Sequence, residues 1–593
     1  MICIDFSFRN GLARVCAVAS VAVFLSASVA SAASRETPNF NLLDLQGQNF
    51  ELHRAEGRAV VLFFTGVGCP IARKSVAKLN ALKRQFGKQG VTFCVIDAYS
   101  EDSTRMFADE ANKLDLVRRF PCLRDSRQCV ALSLGVQRTA EVVAIGTRDW
   151  SVFYQGAIDD QFAEGAERSK PQEQFLGTAL TEFLADKPVT QARTKAHGCR
   201  IAFAQTGSSD EAPSYARDVA PILQKHCVQC HREGAIGPWS MSDHARVKNY
   251  SRMIEEVVLS RRMPPWDPNP DYGHFANANV LPRGEAQTLI RWVQAGAPRG
   301  DGPDPLTEPL PPLNDWPLGK PDLVLRLEKP QQIPATGVLE YRYIRTTPSV
   351  LTNEVWLASV DIKPSNRKIV HHAIVYAKGP GYKDDGSGKG MFVAGWAPGM
   401  PSLRYPAGVG KRLLPGAELT VEMHYTTCGT PETDQTEAAL YFCPGPQPRV
   451  AETRQAAEWN INLPPGSDDA RHTAIYGFKR PATIYSLDPH MHVRGKWMRY
   501  ELLLPNGTKE TLIDVPRYDF KWQFIYELAE PRHVPAGSWL LVTGGFDNST
   551  ANPSNPDPKV RVRAGAQSWD EMFIGFFEAA DDPAPQTASA SAP

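Results

Sequence analysis

The sequence has no excess of charge of either sign. Lysine and arginine together number 65, aspartate and glutamate also number 65, and the formal net charge is therefore zero. No long basic run interrupts this balance. Because nucleic-acid recognition needs a cationic surface, we expect no nucleic-acid partner.

The sequence also lacks a long apolar segment beyond residue 33. A membrane-spanning helix needs about 20 apolar residues, so we expect no membrane span in the mature chain. At the N-terminus, Arg9 and Arg14 precede an apolar stretch at 15–29 and the small residues at 30–33. This pattern predicts a cleavable signal peptide over residues 1–33, and hence a secreted or periplasmic protein.

Solenoid-type repeats are absent as well. The chain has 593 residues, enough for three or four domains. Two stretches rich in proline or polar residues divide it, at 204–213 and 300–317. We therefore predict three folded segments and a disordered tail, at residues 37–200, 213–299, 318–580 and 581–593.

The first segment combines a strand, a cysteine turn, a helix and a second strand. Residues 59–64 form an apolar run typical of a strand in a covered sheet. After Cys69-Pro70 and before a second strand at 91–96, a helical pattern has one apolar face, formed by Val76, Leu79, Leu82 and Phe86. This order resembles the thioredoxin/peroxiredoxin family, which implies a thioredoxin-like α/β domain over residues 37–200.

Two features of that family are missing. The motif Cys-x-x-Cys is replaced by Cys69-Pro70-Ile71-Ala72, and Ala140 stands where the family has a cis-proline. The motif therefore lacks the second thiol that releases a mixed disulfide. Cys69 at a helix N-terminus still favours a lowered pKa. Two alternatives remain: a binding or scaffolding domain, and a redox site at Cys69.

The remaining cysteines supply possible partners. Nine cysteines follow the signal peptide, an odd number in a compartment that favours pairing. Candidates for a thiol that resolves an adduct on Cys69 are Cys94, Cys122, Cys129 and Cys199. Cys122 with Cys129, and Cys428 with Cys443, are candidates for disulfides, although sequence alone does not fix the connectivity.

The second segment contains Cys227-Val228-Gln229-Cys230-His231, the attachment signature of haem c. The two thiols of such a signature bind the haem covalently, and the histidine is the proximal iron ligand. Helical patterns surround it at 215–226, with Ser214 as the N-cap, at 250–262, and from Pro282 onward. Three helices around one attachment site resemble a small cytochrome c.

Met263 is our candidate for the sixth ligand of the haem iron. The prolines that follow it end the helix and present the thioether from a rigid loop. Met241 and Met253 compete for this role, but Met253 lies within a predicted helix and is expected in the core. A His231/Met263 pair leaves no open position, so this all-α domain over 213–299 is expected to carry electrons and not to bind oxygen.

The third segment has short β-rich runs between turn residues, for example at 369–376 and 419–425. Long helical patterns are absent, which indicates β-sandwiches.

Five histidines of this segment are candidate metal ligands. His490 and His492 point to one face of a strand, because strands have a period of two. The adjacent His371 and His372 bind one metal together only at a strand end or a bulge, and His424 lies on a later strand. Imidazole suits copper, zinc, iron or nickel, and an added thioether favours copper. The alternative is a set of histidines that are hydrogen-bonded within a β-sandwich core.

The order of these motifs resembles the ascorbate-dependent type II copper monooxygenases, which include the peptidylglycine and dopamine β-hydroxylases. The matching motifs are His371-His372, His424-Tyr425, His490-Met491-His492 and Asp570-Glu571-Met572. The resemblance implies two jelly-roll sandwiches, at 318–448 and 449–580, that face each other across a solvent cleft. It also implies two copper ions: an electron-storing one on His371, His372 and His424, and an oxygen-activating one on His490, His492 and Met572.

Two positions depart from the peptide-amidating members of that family. Asp488 stands where they have an arginine two residues before His-x-His, and Phe576 stands where they have a tyrosine four residues after the ligand methionine. An ionised Asp488 would repel a carboxylate, which disfavours a peptidylglycine substrate.

These features together predict an exported copper-dependent monooxygenase that hydroxylates a C–H bond of a small-molecule or peptide substrate with O2. The fused haem c would supply or relay the electrons of an external donor. Two alternatives remain: an electron-transfer or copper-binding protein without a substrate, and a thiol-peroxidase-like enzyme centred on Cys69.

Overall fold

The structure is a computed structural model that describes residues 36–163, 166–203, 211–308, 310, 316–382, 389–443 and 449–583. The predicted signal peptide and residues 584–593 of the predicted tail lie outside the described residues. Among the described residues, no helix has the length and apolar character needed to cross a bilayer.

The first region is a mixed α/β domain. Its strands are β1 (Asn41–Asp44), β2 (Asn49–Glu51), β3 (Ala59–Thr65), β4 (Val91–Asp97), β5 (Cys122–Arg124), β6 (Val142–Gly146), β7 (Val152–Gly156), β8 (Phe162–Ala163) and β9 (Ala166–Glu167). Its helices are α1 (Pro70–Phe86), α2 (Thr104–Lys113), α3 (Cys129–Ser133) and α4 (Phe175–Leu184), with short 3-10 turns at Leu52–Arg54 and Gly87–Gln89.

Seven of these strands form one sheet, in the order β2-β1-β5-β4-β3-β6-β7. The central strand β3 is parallel to β4 and antiparallel to β6. All seven residues of β3 are buried, because both faces of the sheet are covered. Val61 and Phe63 pack with α1 on one face, whereas Leu62 and Phe64 belong to a second cluster on the other face. The predicted α/β arrangement of the first segment is confirmed.

The second region contains the helices α5 (Ala220–His226), α6 (His244–Asn249), α7 (Ser251–Leu259) and α8 (Arg283–Gln294), a π-helical turn at Tyr215–Val219 and a 3-10 turn at Pro305–Thr307. The prediction that Ser214 caps the first helix is wrong. The π-helical turn brings Asp218 back to the helix start, where its carboxylate accepts a hydrogen bond from the Ser214 backbone N–H at 2.7 Å. The Ser214 side chain makes no cap.

The third region is all-β. The strands of its first half are β10 (Leu323–Leu327), β11 (Gln331–Ile333), β12 (Arg342–Val350), β13 (Val355–Lys363), β14 (Val370–Lys378), β15 (Met391–Trp396), β16 (Leu403–Arg404), β17 (Val409–Leu413), β18 (Glu418–Tyr425), β19 (Glu432–Asp434), β20 (Glu437–Phe442) and β21 (Arg449–Val450). Those of its second half are β22 (Glu452–Glu458), β23 (Asn462–Leu463), β24 (Ala470–Gly477), β25 (Ala482–His490), β26 (Gly495–Leu503), β27 (Lys509–Val515), β28 (Tyr526–Val534), β29 (Trp539–Phe546), β30 (Val562–Arg563) and β31 (Phe573–Asp581).

The two halves are built differently. In the first half, one continuous ten-stranded sheet runs from β15 to β21, and a single apolar cluster joins residues near both of its ends, such as Val393 and Leu357. In the second half, the sheets β22-β31-β25-β28 and β24-β29-β26-β27 share one core, with Phe577 from the first and Val542 from the second. The third region is therefore all-β, as expected.

The cysteines of the described residues are free thiols. The candidate disulfides Cys122–Cys129 and Cys428–Cys443 are therefore not formed in this structure. Cys428 Sγ lies 3.5 Å from the Thr430 hydroxyl, whereas Cys443 Sγ lies 3.4 Å from a backbone carbonyl on β13. The two sulfurs are thus held by different neighbours.

Candidate functional site

Three histidines of the all-β region converge on one point. His371 and His372 lie on β14, and His424 lies on the neighbouring β18. A β-bulge shifts the pairing of these strands between positions 370 and 372, and it leaves His372 directly opposite His424. One ring nitrogen of each histidine lies within 4.8 Å of the others. We call these three residues the histidine triad.

Two of the triad imidazoles, those of His371 and His424, are neutral. Burial and the neighbouring His372 lower the pKa of His371 to about 3. Burial and the other two members hold the pKa of His424 well below its usual range. Within the described residues, His424 Nδ1 is buried and has no hydrogen-bond partner. Because an unpaired buried polar group costs about 1–3 kcal/mol, a metal ion that accepts this lone pair fits the site.

A second group, which we call the histidine pair, consists of His490 and His492. The prediction that both lie on a strand is wrong, because β25 ends at His490 and His492 follows in the turn. Their rings still lie close together, with centroids 5.4 Å apart. His490 Nδ1 is 3.0 Å from the side-chain oxygen of Gln523, and His492 Nδ1 is 3.3 Å from the backbone carbonyl of Asp570. Each acceptor fixes the proton on Nδ1, so that Nε2 is free to bind a metal.

The surroundings of His492 Nε2 are consistent with that tautomer. Among the described residues, His492 Nε2 is buried without a hydrogen-bond partner. Burial lowers the pKa of His490 to about 3 and that of His492 to about 4. Both imidazoles are therefore neutral and able to act as ligands.

Met572 lies at the same end of the sheet as the histidine pair. It immediately precedes β31, whose Ile574 is paired with His490. The preceding residue, Glu571, accepts hydrogen bonds from the backbone N–H groups of His492 and Arg494, at 2.9 Å and 2.7 Å. These hydrogen bonds of Glu571 hold the segment that contains Met572 next to the segment that contains His492.

Phe520 contacts both the histidine triad and the histidine pair. Its ring centroid lies 5.3 Å from that of His371, 6.0 Å from that of His424 and 6.0 Å from that of His492. One aromatic side chain therefore lies next to both groups. The solvent cleft that the sequence resemblance implies stays a prediction.

The two departures noted at Asp488 and Phe576 also lie next to the histidine pair. The two residues are paired across β25 and β31, and the Phe576 ring lies 5.9 Å from that of His490. Burial raises the pKa of Asp488 to about 8, so this carboxyl group is mostly protonated at neutral pH. The expectation that it repels a carboxylate is therefore wrong. The arginine that would bind one remains absent.

The motif Cys227-Val228-Gln229-Cys230-His231 borders a cavity of about 580 Å³ in the second region. Cys227, Cys230 and His231 line it, and both thiols are free. Burial lowers the pKa of His231, and its Nδ1 lies 3.1 Å from the Trp239 carbonyl, which leaves Nε2 as the free nitrogen. A side chain at Gly237 would come within 2.6 Å of the Cys230 carbonyl. The chain is thus folded tightly around an available imidazole.

Three methionines line this cavity: Met241, Met253 and Met263. The expectation that Met253 belongs to the core is wrong, since its side chain is 47% exposed. It lies on the solvent-facing side of α7. The helix α7 ends at Leu259, and Met263 follows in the turn before two prolines.

Residues of the all-β region close the far side of the cavity. Trp522 and Phe524 line it together with Pro401, and the rings of Trp522 and Phe524 are stacked with centroids 6.1 Å apart. The same segment contains Phe520 and Gln523, which contact the histidines. We call residues 520–524 the bridging segment, because it borders both the cavity and the histidine groups.

Hydrogen bonds attach the chain directly after the bridging segment to the second region. Asn277 donates a side-chain hydrogen bond to the Ile525 carbonyl at 2.7 Å, and the Ala276 N–H donates to the Glu527 carbonyl at 2.8 Å. Sequence reasoning missed this segment. Its signal was a dense aromatic run at 518–526, which contains five aromatic residues.

Cys69 is the N-cap of α1 and is only 2% exposed. Its sulfur lies 2.9 Å from the Thr139 hydroxyl and accepts a hydrogen bond from the Ala72 N–H at 3.4 Å. Burial alone would raise the pKa of Cys69, but these hydrogen bonds outweigh it and lower the pKa. Cys69 therefore has the properties of a stabilised thiolate.

Of the four predicted partners, Cys199 is in contact with this thiol, with its sulfur 3.5 Å from that of Cys69. The other three are deeply buried, and burial raises the pKa of each to about 12. They are therefore inert thiols. Ala140, at the position of the family's cis-proline, has a left-handed backbone with φ of 57°.

Comparison with known proteins bears on the first region. Residues 33–157 match the family model described as "AhpC/TSA family". The thiol-disulfide oxidoreductase ResA of Bacillus thuringiensis is 29% identical over 103 residues, which cover 17% of this chain and 57% of that protein. ResA of Halalkalibacterium halodurans is 26% identical over 134 residues, which cover 22% of this chain and 73% of that protein.

Among solved structures, an uncharacterized conserved protein from Geobacillus kaustophilus is 24% identical, with a TM-score of 0.27, and it covers 29% of this chain and 93% of its own. The match with the Bacillus thuringiensis ResA spans about 57% of the length of that protein. The region around Cys69 is a thioredoxin-like domain of the AhpC/TSA type, joined in one chain to a large all-β region.

Proposed function

We propose that this chain is an exported oxidoreductase whose all-β region is a copper-dependent monooxygenase. The observation that supports this proposal is the histidine triad, in which three imidazoles converge within 4.8 Å. In this proposal the triad holds one copper ion, and the histidine pair with Met572 holds the other. Imidazole and thioether donors without a carboxylate favour copper over magnesium or calcium. Bound copper would supply the activation of O2 for hydroxylation of a substrate C–H bond.

The chain's own residues prepare these ligands. Gln523 and the carbonyl of Asp570 accept hydrogen bonds from the Nδ1–H groups of the histidine pair. The lone pair of each Nε2 is therefore available to a metal ion. The Phe520 ring packs against His371 of the triad and His492 of the pair. Such fixed donors lose little freedom when a metal binds.

We further propose that the second region holds haem c. Cys227 and Cys230 would carry it covalently, with His231 as the proximal and Met263 as the distal ligand. The cavity of about 580 Å³ and the free Nε2 of His231 suit such a group. Haem c would supply electrons from an external donor.

The bridging segment supports joint operation of the two sites. Trp522 and Phe524 form part of the cavity wall, and Phe520 and Gln523 contact the histidines only a few residues away. A haem in the cavity and copper on the histidines would therefore share one short stretch of chain. The substrate remains a small molecule or peptide of unassigned identity.

The direct test is the copper and iron content of full-length protein exported with haem maturation and copper present. We expect two copper ions for each haem iron. The variant His424→Ala should lose the triad copper, because two imidazoles hold a metal far more weakly than three. His533→Ala is a matched control, since that histidine is exposed and paired with Asp582.

The opposite result is also informative. Iron without copper, even after reconstitution with Cu(I), would sink the monooxygenase proposal. An electron carrier would then be the better description. Two coppers with oxygen consumption but no oxidised product would indicate a copper-binding protein without a substrate.

The second candidate function is thiol redox chemistry in the first region. The AhpC/TSA match over residues 33–157, the ResA relatives and the lowered pKa of Cys69 favour it. Either a hydroperoxide or a disulfide is a candidate substrate class. Cys69→Ser should abolish turnover of whichever substrate is used and leave the metal content unchanged. Unchanged turnover of both in this variant would dismiss the candidate.

A further inference from the structure

A short segment that precedes the second region is bound against the Cys69 site. The Ile201 N–H donates to the Gln137 carbonyl, and the Thr139 N–H donates to the Cys199 carbonyl, both at 2.9 Å. Arg138 and Arg200 form an antiparallel bridge between the same two stretches. Residues 198–201, which we call the clasp, therefore pair with the chain at 137–139 as a short added strand.

Thr139 contacts both cysteines. Its hydroxyl accepts a hydrogen bond from the Cys199 N–H at 2.9 Å and lies 2.9 Å from Cys69 Sγ. Because a hydroxyl group has one proton as well as two acceptor lone pairs, it can accept from the Cys199 amide and donate to the sulfur of Cys69. One side chain thus places Cys199 and stabilises the Cys69 thiolate.

The clasp approaches so closely because residue 198 is glycine. A Cβ at Gly198 would lie 1.9 Å from the Thr139 carbonyl oxygen. No other residue fits this position without displacement of the clasp. The close approach is what brings Cys199 Sγ to 3.5 Å from Cys69 Sγ.

The two sulfurs differ in access. Cys69 is 2% exposed, whereas Cys199 is an exposed residue that lies over it. An incoming thiol or disulfide therefore meets Cys199 first.

We propose that Cys69 and Cys199 form a reversible redox couple that exchanges electrons with thiol/disulfide substrates through Cys199. This inference rests on the proposed thiol function of the first region and assigns its second cysteine and its substrate class. The clasp supplies from outside the helix the thiol that Cys69-Pro70-Ile71-Ala72 lacks. Cys69 is the leaving and resolving thiolate, and Cys199 carries the mixed disulfide.

The exchange balances as follows. A substrate thiolate RS⁻ attacks Cys199 Sγ of the oxidised couple; a Cys199–SR bond forms, and the Cys69–Cys199 bond breaks with departure of the Cys69 thiolate. A second RS⁻ attacks the substrate sulfur, which gives RSSR and frees the Cys199 thiolate. Two electrons pass from two thiols to the couple, and the two protons released by RSH end on the two cysteines or in solvent.

The asymmetry of the pair suits these roles. The thiol with the lower pKa leaves faster, and hydrogen bonds from Thr139 and Ala72 lower the pKa of Cys69 against the opposing effect of burial. Burial and the neighbouring Cys69 raise the pKa of Cys199. The same path run backwards lets the reduced couple reduce a substrate disulfide.

The first test uses the full-length protein in oxidised glutathione, followed by non-reducing digestion and mass spectrometry. We expect a Cys69–Cys199 linked peptide. In Cys69→Ser we expect a stable glutathione adduct on Cys199, and in Cys199→Ser the adduct on Cys69 should form roughly tenfold more slowly because Cys69 is buried. The exposed Cys428 is the internal reference for reactivity. Separate adducts on both cysteines without a link, or a faster adduct on Cys69, would overturn the proposal.

A backbone variant tests the clasp itself. Gly198→Ala should displace the clasp, abolish the link and make Cys69 accessible to alkylation. Gly177→Ala in α4 is the control, because a Cβ there meets only ordinary contacts, with Leu82 at 3.5 Å and Gln174 at 3.9 Å. A link that forms normally in Gly198→Ala would contradict the proposed geometry.

Turnover of insulin disulfides separates the two hypotheses. A link that forms without any turnover supports the couple and removes protein disulfides as substrates of the second candidate function. Turnover that persists in Cys199→Ser keeps that function and overturns the couple.

Discussion

The histidine triad and the Cys69–Cys199 couple are assembled in opposite ways. The triad residues lie on two strands that are paired along most of their length, within a ten-stranded sheet. The two cysteines are 130 residues apart, and one of them is held by the four-residue clasp. The sheet gives the triad a fixed geometry, whereas the clasp is a local attachment with few bonds.

This difference matches what each chemistry needs. A metal site loses affinity when its ligands move, so rigid elements suit it. A thiol couple must open to admit a substrate sulfur, and segments with few buried contacts open at low cost in free energy. Substitutions around the triad should therefore act on affinity, and those around the couple on access and ionisation.

The largest effect is expected at Met572. In the proposed site, Met572→Ala removes the soft thioether that would stabilise Cu(I), so hydroxylation should be lost while the haem absorption spectrum stays unchanged. The measurement is the formation of hydroxylated product, recorded together with the visible absorption spectrum of the haem. Met106→Ala is the control, since that methionine is 46% exposed in the first region. Retained turnover in Met572→Ala would rule out the ligand assignment.

An intermediate effect is expected at Gln523. Gln523→Leu removes the acceptor that fixes the His490 ring, and loss of such a partner lowers metal affinity by about 10–100-fold. Competition for Cu(I) with a chromogenic chelator measures this change. Gln332→Leu, at an exposed position on β11, should leave the affinity unaltered. Equal affinities of Gln523→Leu and the parent protein would mean that the rigid strands alone orient the histidine.

The smallest effect is expected at Thr139, in a Cys199→Ser background. Thr139→Val removes a hydrogen bond that lowers the pKa of Cys69. The thiolate form should then appear only at higher pH, so the pH profile of alkylation should shift upward. Thr147→Val, whose hydroxyl bonds only the Gly57 carbonyl among its described contacts, is the control. An unshifted profile would show that Thr139 places the clasp without acting on Cys69.

The sequence predicted the elements that depend on local pattern. The apolar run at 59–64 and the helix after Cys69 appear as β3 and α1, because strand burial and helix amphipathicity are readable from spacing. The bulge that brings His371 and His372 to one side was stated as a condition and is present. The metal ligands and the haem themselves remain predictions.

What the sequence could not supply were contacts between distant segments. Cys199 was one of four possible partners for Cys69, and only the three-dimensional pairing of 198–201 with 137–139 selects it. The ionisation of Asp488 was misjudged for a similar reason, since its burial depends on the whole sandwich. The contacts of Phe520 with both groups of histidines could not be predicted from the local spacing of residues.

The second cluster on the sheet of the first region has a consequence for how the protein must be handled. Leu62 and Phe64 of β3 belong to the same cluster as Leu289 and Trp292 of α8, and α8 packs against α3 of the first region, so the helical region extends the core of the thioredoxin-like domain. The two regions should therefore melt in a single cooperative transition. Cleavage near residue 205 would free the apolar surface on which α8 packs, and the released fragment should aggregate. The unit that folds cooperatively, and that could be transferred intact to another protein, is thus larger than the segments predicted from the sequence.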